Sequence, residues 1–293
     1  MTNTAVKLTQ LIKLLEKYAP HDGAHQTAVS QVGTFRVSAP QPRTPLIYDA
    51  RIIILAQGEK ICYIGNKQYQ FTAGQCLVIT LPVPVEVEIM GATADKPALM
   101  TGIIIDLNKI ASLLLKLENG SDFTTPKEIA DPSSVSVQTL NDEMLDAVIR
   151  LFQTMGKPSD RDVLSESIIE EIYYRLLAHN QVGALQMLLA QRRQIQQISK
   201  VVVHIHSRLD QVVLVEELAS LVGMSTSGFH KTFKEIMHMS PLQYAKSIKL
   251  THSQSLLREG RTVAEASRLV GYNSTTQFSR EFKRHFGYPP SQT

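Results

Sequence analysis

The sequence predicts an α+β protein of two domains: a small β-sandwich or barrel with flanking helices in front, and an all-helical domain behind. Three observations carry this. The chain has 293 residues, beyond the roughly 100–200 of one typical domain. From about Val29 to Ile105 short β-prone runs alternate with turn residues, and past Ile105 the apolar period becomes helical. The charge also divides: residues 1–190 hold 16 Lys+Arg against 20 Asp+Glu, whereas residues 191–293 hold 14 against 7. The overall net charge of +3 hides a basic back third, which favours a nucleic-acid-binding module there. Hydrophobic content of 43% is ordinary for a globular protein, and two cysteines exclude a disulfide scaffold. Apolar stretches such as Ile52–Ala56 fall far short of the roughly 20 residues of a membrane span, so no membrane partner and a cytoplasmic, bacterial location are expected.

In chain order, Lys7, Lys13 and Lys17 interrupt Leu8, Leu11, Ile12, Leu14 and Leu15, which reads as an amphipathic helix rather than an export signal. Candidate strands follow at Leu46–Leu55, Ile61–Ile64, Tyr69–Phe71, Leu77–Thr80, Val83–Met90 and Leu99–Ile105, separated by turns that contain Gly58, Gly65 and Gly74. Around six such strands suggest a sandwich or small barrel over about 21–107. Two amphipathic helices follow within about 108–180. Leu140, Met144, Ala147, Val148, Leu151 and Phe152 form one apolar stripe, and Ile168, Ile169, Ile172, Tyr173, Leu176 and Leu177 form another. Such stripes could pack on the core, form a dimer seam, or both. The N-terminal domain is placed at 1–185 and a linker at 186–193.

The domain at 194–293 carries an internal repeat. Val215 to Gly223 aligns with Val263 to Gly271 at an offset of 48, and Phe229 to Lys234 aligns with Phe278 to Lys283 at an offset of 49. Each copy reads as a helix, a turn at Gly223 or Gly271, and a second helix capped by Ser225 or Ser274; Ser274 and Gln277 fit a capping box. That is a helix-turn-helix, at about 215–236 and again at about 263–286. Phe229, Phe233, Ile236 and Met237 form one face of the first second-helix, and Phe278, Phe282 and Phe286 the same face of its repeat. The opposite faces keep Thr226, Ser227, His230, Lys231 and Lys234, and Thr275, Thr276, Gln277, Arg280 and Arg284. Short hydrogen-bonding residues followed one turn later by a basic residue suit a helix whose N-terminal part meets base edges.

Residues from about Gln194 to Thr293 resemble the DNA-binding domain of the AraC/XylS family of transcription regulators. The run from Leu218 to Lys234, then Ser240-Pro241-Leu242-Gln243-Tyr244, and Val270-Gly271-Tyr272 through Gln277-Phe278-Ser279-Arg280-Glu281-Phe282-Lys283-Arg284 to Gly287-Tyr288-Pro289-Pro290 carry the resemblance. It implies seven helices, with a long one from about Pro241 to Leu257 joining the two units, and recognition helices in successive major grooves of promoter DNA. The base-reading positions it implies are Ser227, His230, Lys231, Thr275, Thr276 and Arg280. Ser225, Thr226, Lys234, Ser274, Gln277, Lys283 and Arg284 would support them or contact phosphates. Lys249 and Gln254 stand where the family usually has Arg, and His238 where it usually has Gly. Fewer phosphate contacts from the linking helix, and a looser turn before Pro241, are therefore expected.

The front, roughly His21–Leu115, resembles the N-terminal domain of an AraC-type subgroup through Tyr48-Asp49-Ala50, Ala56-Gln57-Gly58-Glu59-Lys60, Gly65 and Tyr69. This implies a cupin-like β-barrel that senses a small-molecule effector or dimerises. Tyr48, Arg51, Cys62 and Tyr63 are the candidate pocket residues. Residues 29–105 contain no His, so a metal-dependent cupin enzyme is not expected. His204 and His206, two apart on a helix, point to different sides, and Asp22-Gly23 turns the chain between His21 and His25. Neither pair is expected to bind metal. Cys62 and Cys76 read as small buried hydrophobes or, for a thiol near Lys60, as a sensor of oxidants or electrophiles.

The chain therefore reads as a non-enzymatic transcription regulator without cofactor or metal. Its expected partners are promoter DNA, a small-molecule effector, a second copy in a homodimer, and RNA polymerase if it activates. The competing readings are a cupin-type enzyme with an appended DNA-binding domain, and a ligand-independent DNA-binding protein.

Overall fold

The computed structural model describes residues 3–118, 134–178 and 192–293. Helix α1 (Asn3–Tyr18) leads into nine strands: β1 (Gly23–Gln26), β2 (Val32–Val37), β3 (Gln41–Tyr48), β4 (Arg51–Gln57), β5 (Glu59–Ile64), β6 (Lys67–Thr72), β7 (Gln75–Ile79), β8 (Val83–Met90) and β9 (Ala98–Ile104). Helix α2 (Leu107–Glu118), strand β10 (Val135–Thr139) and helices α3 (Asp142–Thr154) and α4 (Pro158–Ala178) complete the front.

All strand pairs are antiparallel and make two sheets, one ordered β1-β2-β9-β4-β7-β10 and the other β3-β8-β5-β6. Two expectations need correction. The run Leu46–Leu55 is not one strand: it breaks at Asp49-Ala50, where the chain passes from the four-stranded sheet to the six-stranded one. The switch to helix after Ile105 is also incomplete, because β10 returns to pair with β7, Val135 opposite Ile79.

Strand β4 lies inside the larger sheet and is apolar on both faces. Ile52, Ile54 and Ala56 meet the helices, while Ile53 and Leu55 face the other sheet. Leu11 and Leu15 of α1, Met144, Val148 and Leu151 of α3, and Ile169, Ile172 and Tyr173 of α4 close over the outer face. Both apolar stripes thus pack on the core, each large side chain contributing about 1.5–3 kcal/mol by leaving water. Asn141 caps α3 by accepting from the Met144 N–H, and Asp142 and Glu143 favour its positive end.

The rear is helical: α5 (Arg192–Ser207), α6 (Val215–Leu221), α7 (Thr226–Met237), α8 (Pro241–Arg258), α9 (Val263–Leu269) and α10 (Thr275–Phe286), then a 3₁₀ turn at Pro290–Gln292. Where the resemblance implied seven helices, the described residues of the rear form six α-helices and this 3₁₀ turn, with the long α8 joining the two units. Of the expected 186–193 linker, residues 186–191 lie outside the described residues. No helix among the described residues is long and apolar enough to cross a membrane.

The two helix-turn-helix units are held differently. Ile198, Val202, Phe229, Phe233 and Tyr244 of the first unit belong to one apolar core with the space between the sheets, whereas Leu250, Val270, Phe278 and Phe282 form a separate core in the second. The barrel also grips the end of α7 directly. Ser134 donates its N–H and its hydroxyl to the Ile236 carbonyl, at 3.2 and 2.8 Å, satisfying an acceptor that the helix terminus leaves open. Tyr244 donates to the Pro82 carbonyl at 3.1 Å and thereby accepts from the His206 Nε2–H at 2.9 Å. Gly65 comes so close that a Cβ there would stand 1.8 Å from the His238 carbonyl oxygen.

The expected looseness before Pro241 is overturned. His238 takes the left-handed conformation, φ 58°, that Gly287 takes at φ 84° in the second unit, and its N–H donates to the Lys234 carbonyl. It is buried, and its Nε2 lies 3.0 Å from the Tyr69 hydroxyl of β6. A histidine occupies the glycine position because its ring ties α7 to the barrel.

Candidate nucleic-acid interface and barrel cavity

The repeat in the sequence is a repeat in space. Helices α6 and α9 are both seven residues long and end at Gly223 (φ 65°) and Gly271 (φ 77°). Helices α7 and α10 are both twelve residues long, with Ser225 accepting from the Gly228 N–H at 3.2 Å and Ser274 from the Gln277 N–H at 3.3 Å. The expected capping box at Ser274 does not close, because the Gln277 side chain bonds Glu281 instead. Complete boxes form at Ser240/Gln243 and Thr262/Glu265, neither of which sequence reasoning singled out.

With Phe229, Phe233, Phe278 and Phe282 fully buried, the other faces are free. Ser227, His230 and Lys231 on α7, and Thr275, Thr276 and Arg280 on α10, are all exposed, as are Ser225, Thr226, Ser274, Gln277 and Lys283. Lys231 lies 3.9 Å from Glu235, an exposed pair of small energetic worth that leaves the lysine available. Lys234 and Arg284 are exposed but turned toward the barrel, where they line a groove of about 660 Å³ with Arg43, Glu86 and His285. Glu281 joins α8 to α10, accepting from Lys246 at 2.9 Å and Tyr272 at 2.8 Å. Burial works to raise its pKa, and hydrogen bonds from Lys246 and Tyr272 outweigh this and hold its carboxyl below the usual range. On α8, Lys249 donates to the Gln211 carbonyl at 2.8 Å and Gln254 to the Tyr288 hydroxyl at 2.6 Å, so both are engaged within the domain.

A second concavity, about 320 Å³, lies between the two sheets. Ile53 and Met100 of one sheet and Val87 and Ile89 of the other supply apolar walls, with Ala24, Gln26, Ser30 and Gln41 on the exposed side. Of the candidate pocket residues, Tyr48 and Arg51 line it; Cys62 and Tyr63 do not. Cys62 points between the sheets but is packed into the apolar core, where burial raises its thiol to about 11, and burial likewise raises Cys76 to about 12. Neither has the lowered pKa and exposure of a reactive thiol. Tyr63 lies on the opposite face of β5, in the groove against the helices, donating to Glu88 at 2.8 Å beneath the Arg43 guanidinium.

The polar residue missed in this cavity is Lys60. It is 3% exposed, donates to the Tyr48 hydroxyl at 2.7 Å and lies 3.4 Å from the Met100 sulfur. Burial opposes its charge, but interaction with Tyr48 and Cys62 more than offsets this, leaving its pKa above the ordinary lysine value. The Arg51 guanidinium stands over the same Tyr48 ring at 5.3 Å, as does the Lys60 ammonium at 5.3 Å, and the buried Arg51 Nε has no hydrogen-bond partner. The signal was parity: Lys60 alternates in register with Cys62 and Ile64.

His21 and His25 sit at the turn into β1, with His25 Nε2 2.7 Å from the His21 carbonyl. Among the described residues no group of three or more His, Cys, Asp or Glu side chains is placed to hold a metal ion.

A pair of matched helix-turn-helix units, each with a buried aromatic face and an exposed polar and basic one, defines a double helix-turn-helix regulator behind a β-barrel. Residues 28–184 match the family model described as the AraC-type transcriptional regulator N-terminus, and residues 218–293 match a helix-turn-helix domain. The chain belongs to the AraC-type transcriptional regulators, a class of DNA-binding proteins. It is 22% identical over 243 residues to the lactose operon transcription activator of Staphylococcus xylosus, covering 82% of this chain and 81% of that protein. Over 145 residues it is 26% identical to the regulator GbdR of Pseudomonas aeruginosa, covering 48% of this chain but only 38% of that protein's length. Its fold is similar to that of ToxT from Vibrio cholerae. The apo K231A form aligns at a TM-score of 0.56, 12% identity and coverage of 91% and 97% of the two chains. A wild-type form with an unsaturated fatty acid bound aligns at 0.50, 14% identity and 89% and 93% coverage.

Proposed function

We propose that this chain regulates transcription by laying α7 and α10 in successive major grooves on one face of promoter DNA. Ser227, His230 and Lys231 read bases from α7, and Thr275, Thr276 and Arg280 from α10. The observation supporting this most directly is that all six are exposed on helices of equal length, opposite buried phenylalanine pairs. Arg280 is suited to guanine O6 and N7, and the short threonines to thymine methyl groups or to sequence-dependent DNA shape. Lys283, with Ser225, Thr226, Ser274 and Gln277, holds the flanking backbone, while Lys234 and Arg284 face the barrel groove.

The barrel cavity takes a small-molecule effector. Strands β3 and β8 carry Tyr48, Val87 and Ile89 toward the cavity and Arg43 and Glu86 toward the helices, so an occupant that moves them bears on α8 and α10. The similar fold of ToxT, seen with a fatty acid bound, supports an effector role for the front. Dimerisation through the front domain adds avidity without new base contacts, and an activating form engages RNA polymerase. Selection of binding sites from a random duplex library tests the reading. Two enriched half-sites about 10 bp apart are expected, and the absence of any enriched sequence overturns it.

A further inference from the structure

We infer that the barrel cavity is a carboxylate site: it seats the head of a small amphiphilic monoanion on Lys60, with Tyr48 and Arg51 completing the seat. This rests on reading the cavity as the place where a ligand enters.

Lys60 is buried, and among the described residues no carboxylate pairs with it; its neighbours are the neutral Tyr48 hydroxyl and the Met100 thioether. An ammonium has three donors, and a sulfur at 3.4 Å is a poor acceptor. Buried cations are ordinarily paired, because burial removes the water that would otherwise stabilise them. Arg51 already faces Asp49 at 3.4 Å, so these two charges compensate each other and the deficit at the site is one negative charge. A carboxylate fits that deficit better than a phosphate dianion.

The Arg51 Nε–H is buried and unmatched, and the Tyr48 oxygen, having accepted from Lys60, still has its own proton to donate. Lys60, Tyr48 and Arg51 all line the same cavity, Lys60 bonded to the Tyr48 hydroxyl and the Arg51 guanidinium 5.3 Å from the Tyr48 ring. A carboxylate offers two oxygens with about four lone-pair positions and can satisfy all of them.

Ile53, Ile89 and Met100 supply apolar wall, and the cavity of about 320 Å³ is near the lower end of ligand pockets at roughly 300–1,000 Å³. The occupant is therefore a compact apolar body with one anionic end.

The test is calorimetric titration of the full-length protein with octanoate, octan-1-ol and octyl phosphate, chosen for one chain length and three head groups. Octanoate should bind the wild type with one-to-one stoichiometry, at least about tenfold more tightly than either of the others. Lys60→Met should reduce that preference over octan-1-ol to about twofold or less. The substitution replaces a buried unpaired charge with an apolar chain of similar volume, so the thermal midpoint of the ligand-free protein should rise. Tyr48→Phe removes a single hydroxyl and provides an independent check: it should weaken octanoate by about threefold to tenfold and leave octan-1-ol unchanged. Wild-type protein that ignores octanoate, binds octan-1-ol or octyl phosphate equally well, or keeps its carboxylate preference after Lys60→Met would overturn the proposal. DNA affinity measured by fluorescence anisotropy on the same samples separates the two claims. Lys60-dependent octanoate binding that leaves DNA affinity unchanged supports the carboxylate site and overturns the effector reading.

Discussion

His238 shows how one side chain can carry an otherwise unfavourable backbone. It is the non-glycine residue with positive φ among the described residues, a conformation costing an ordinary L-residue roughly 1–2 kcal/mol. The cost is offset by burial and by the contact with Tyr69. His238→Ala should keep the strain and lose the contact, lowering stability by about 1–2 kcal/mol, while His238→Gly should be about 1 kcal/mol more stable than His238→Ala. Chemical denaturation of the two variants against wild type reads both differences. At the DNA face, Arg280→Ala should cost about 1–3 kcal/mol on the specific site and relax one base position in a selected-site logo; an unchanged logo removes Arg280 from base reading. Lys283→Ala should weaken binding to all sequences alike and reduce the slope of log affinity against log salt by about 0.9. A loss confined to one operator argues against a phosphate role.

The elements differ in how far they were legible from the chain. Helices α6, α7, α9 and α10 follow from local signals: a turn glycine, a serine cap and a phenylalanine pair four residues apart, each repeated at a nearly constant offset. Strand β10 was not legible, since Val135 and Val137 make only a short alternation and the partner Leu77 is sixty residues away. Strand β2 was obscured by Gly33, Thr34 and Arg36 within Val32–Val37. Periodicity could not tell which strand faces point inward: of the candidate pocket residues Tyr48 and Arg51 line the cavity and Tyr63 lies in the groove, because the face of a strand depends on which sheet its neighbours join. The capping box was expected at Ser274, yet Glu281, a residue held by Lys246 from another helix, draws Gln277 away. Two histidines give the helical elements a pH dependence. Burial lowers the pKa of both His206 and His285, so their neutral forms belong to the folded state. The unfolded chain takes up protons first as pH falls below about 6.5, and the stability these residues contribute above that value is lost as pH falls through their folded pKa values. His285→Phe should flatten that loss in denaturation midpoints measured from pH 7.5 to 5, and an unchanged profile would show that His285 does not set it.

At the scale of the whole molecule, the front and the first helix-turn-helix unit share a core while the second unit has its own. The fragment 192–293 would expose Tyr244 and the end of α7, and would lose the bonds from Ser134, Tyr69 and Pro82. It should melt below the full chain and lose contacts from α7 before those from α10, which thermal melts and methylation protection of guanines can follow. The same geometry sets β3 and β8 of the barrel against α8 and α10, so an occupant of its cavity that moves these strands can alter how α7 and α10 are spaced. The central claim is that both helices read one face of the duplex together. Hydroxyl-radical footprinting of the full-length protein on its selected site tests it most directly. Protection should fall in two segments about 10–10.5 bp apart on the same face, with Arg280→Ala weakening only the segment beneath α10. A single protected segment, or two on opposite faces, would contradict the account.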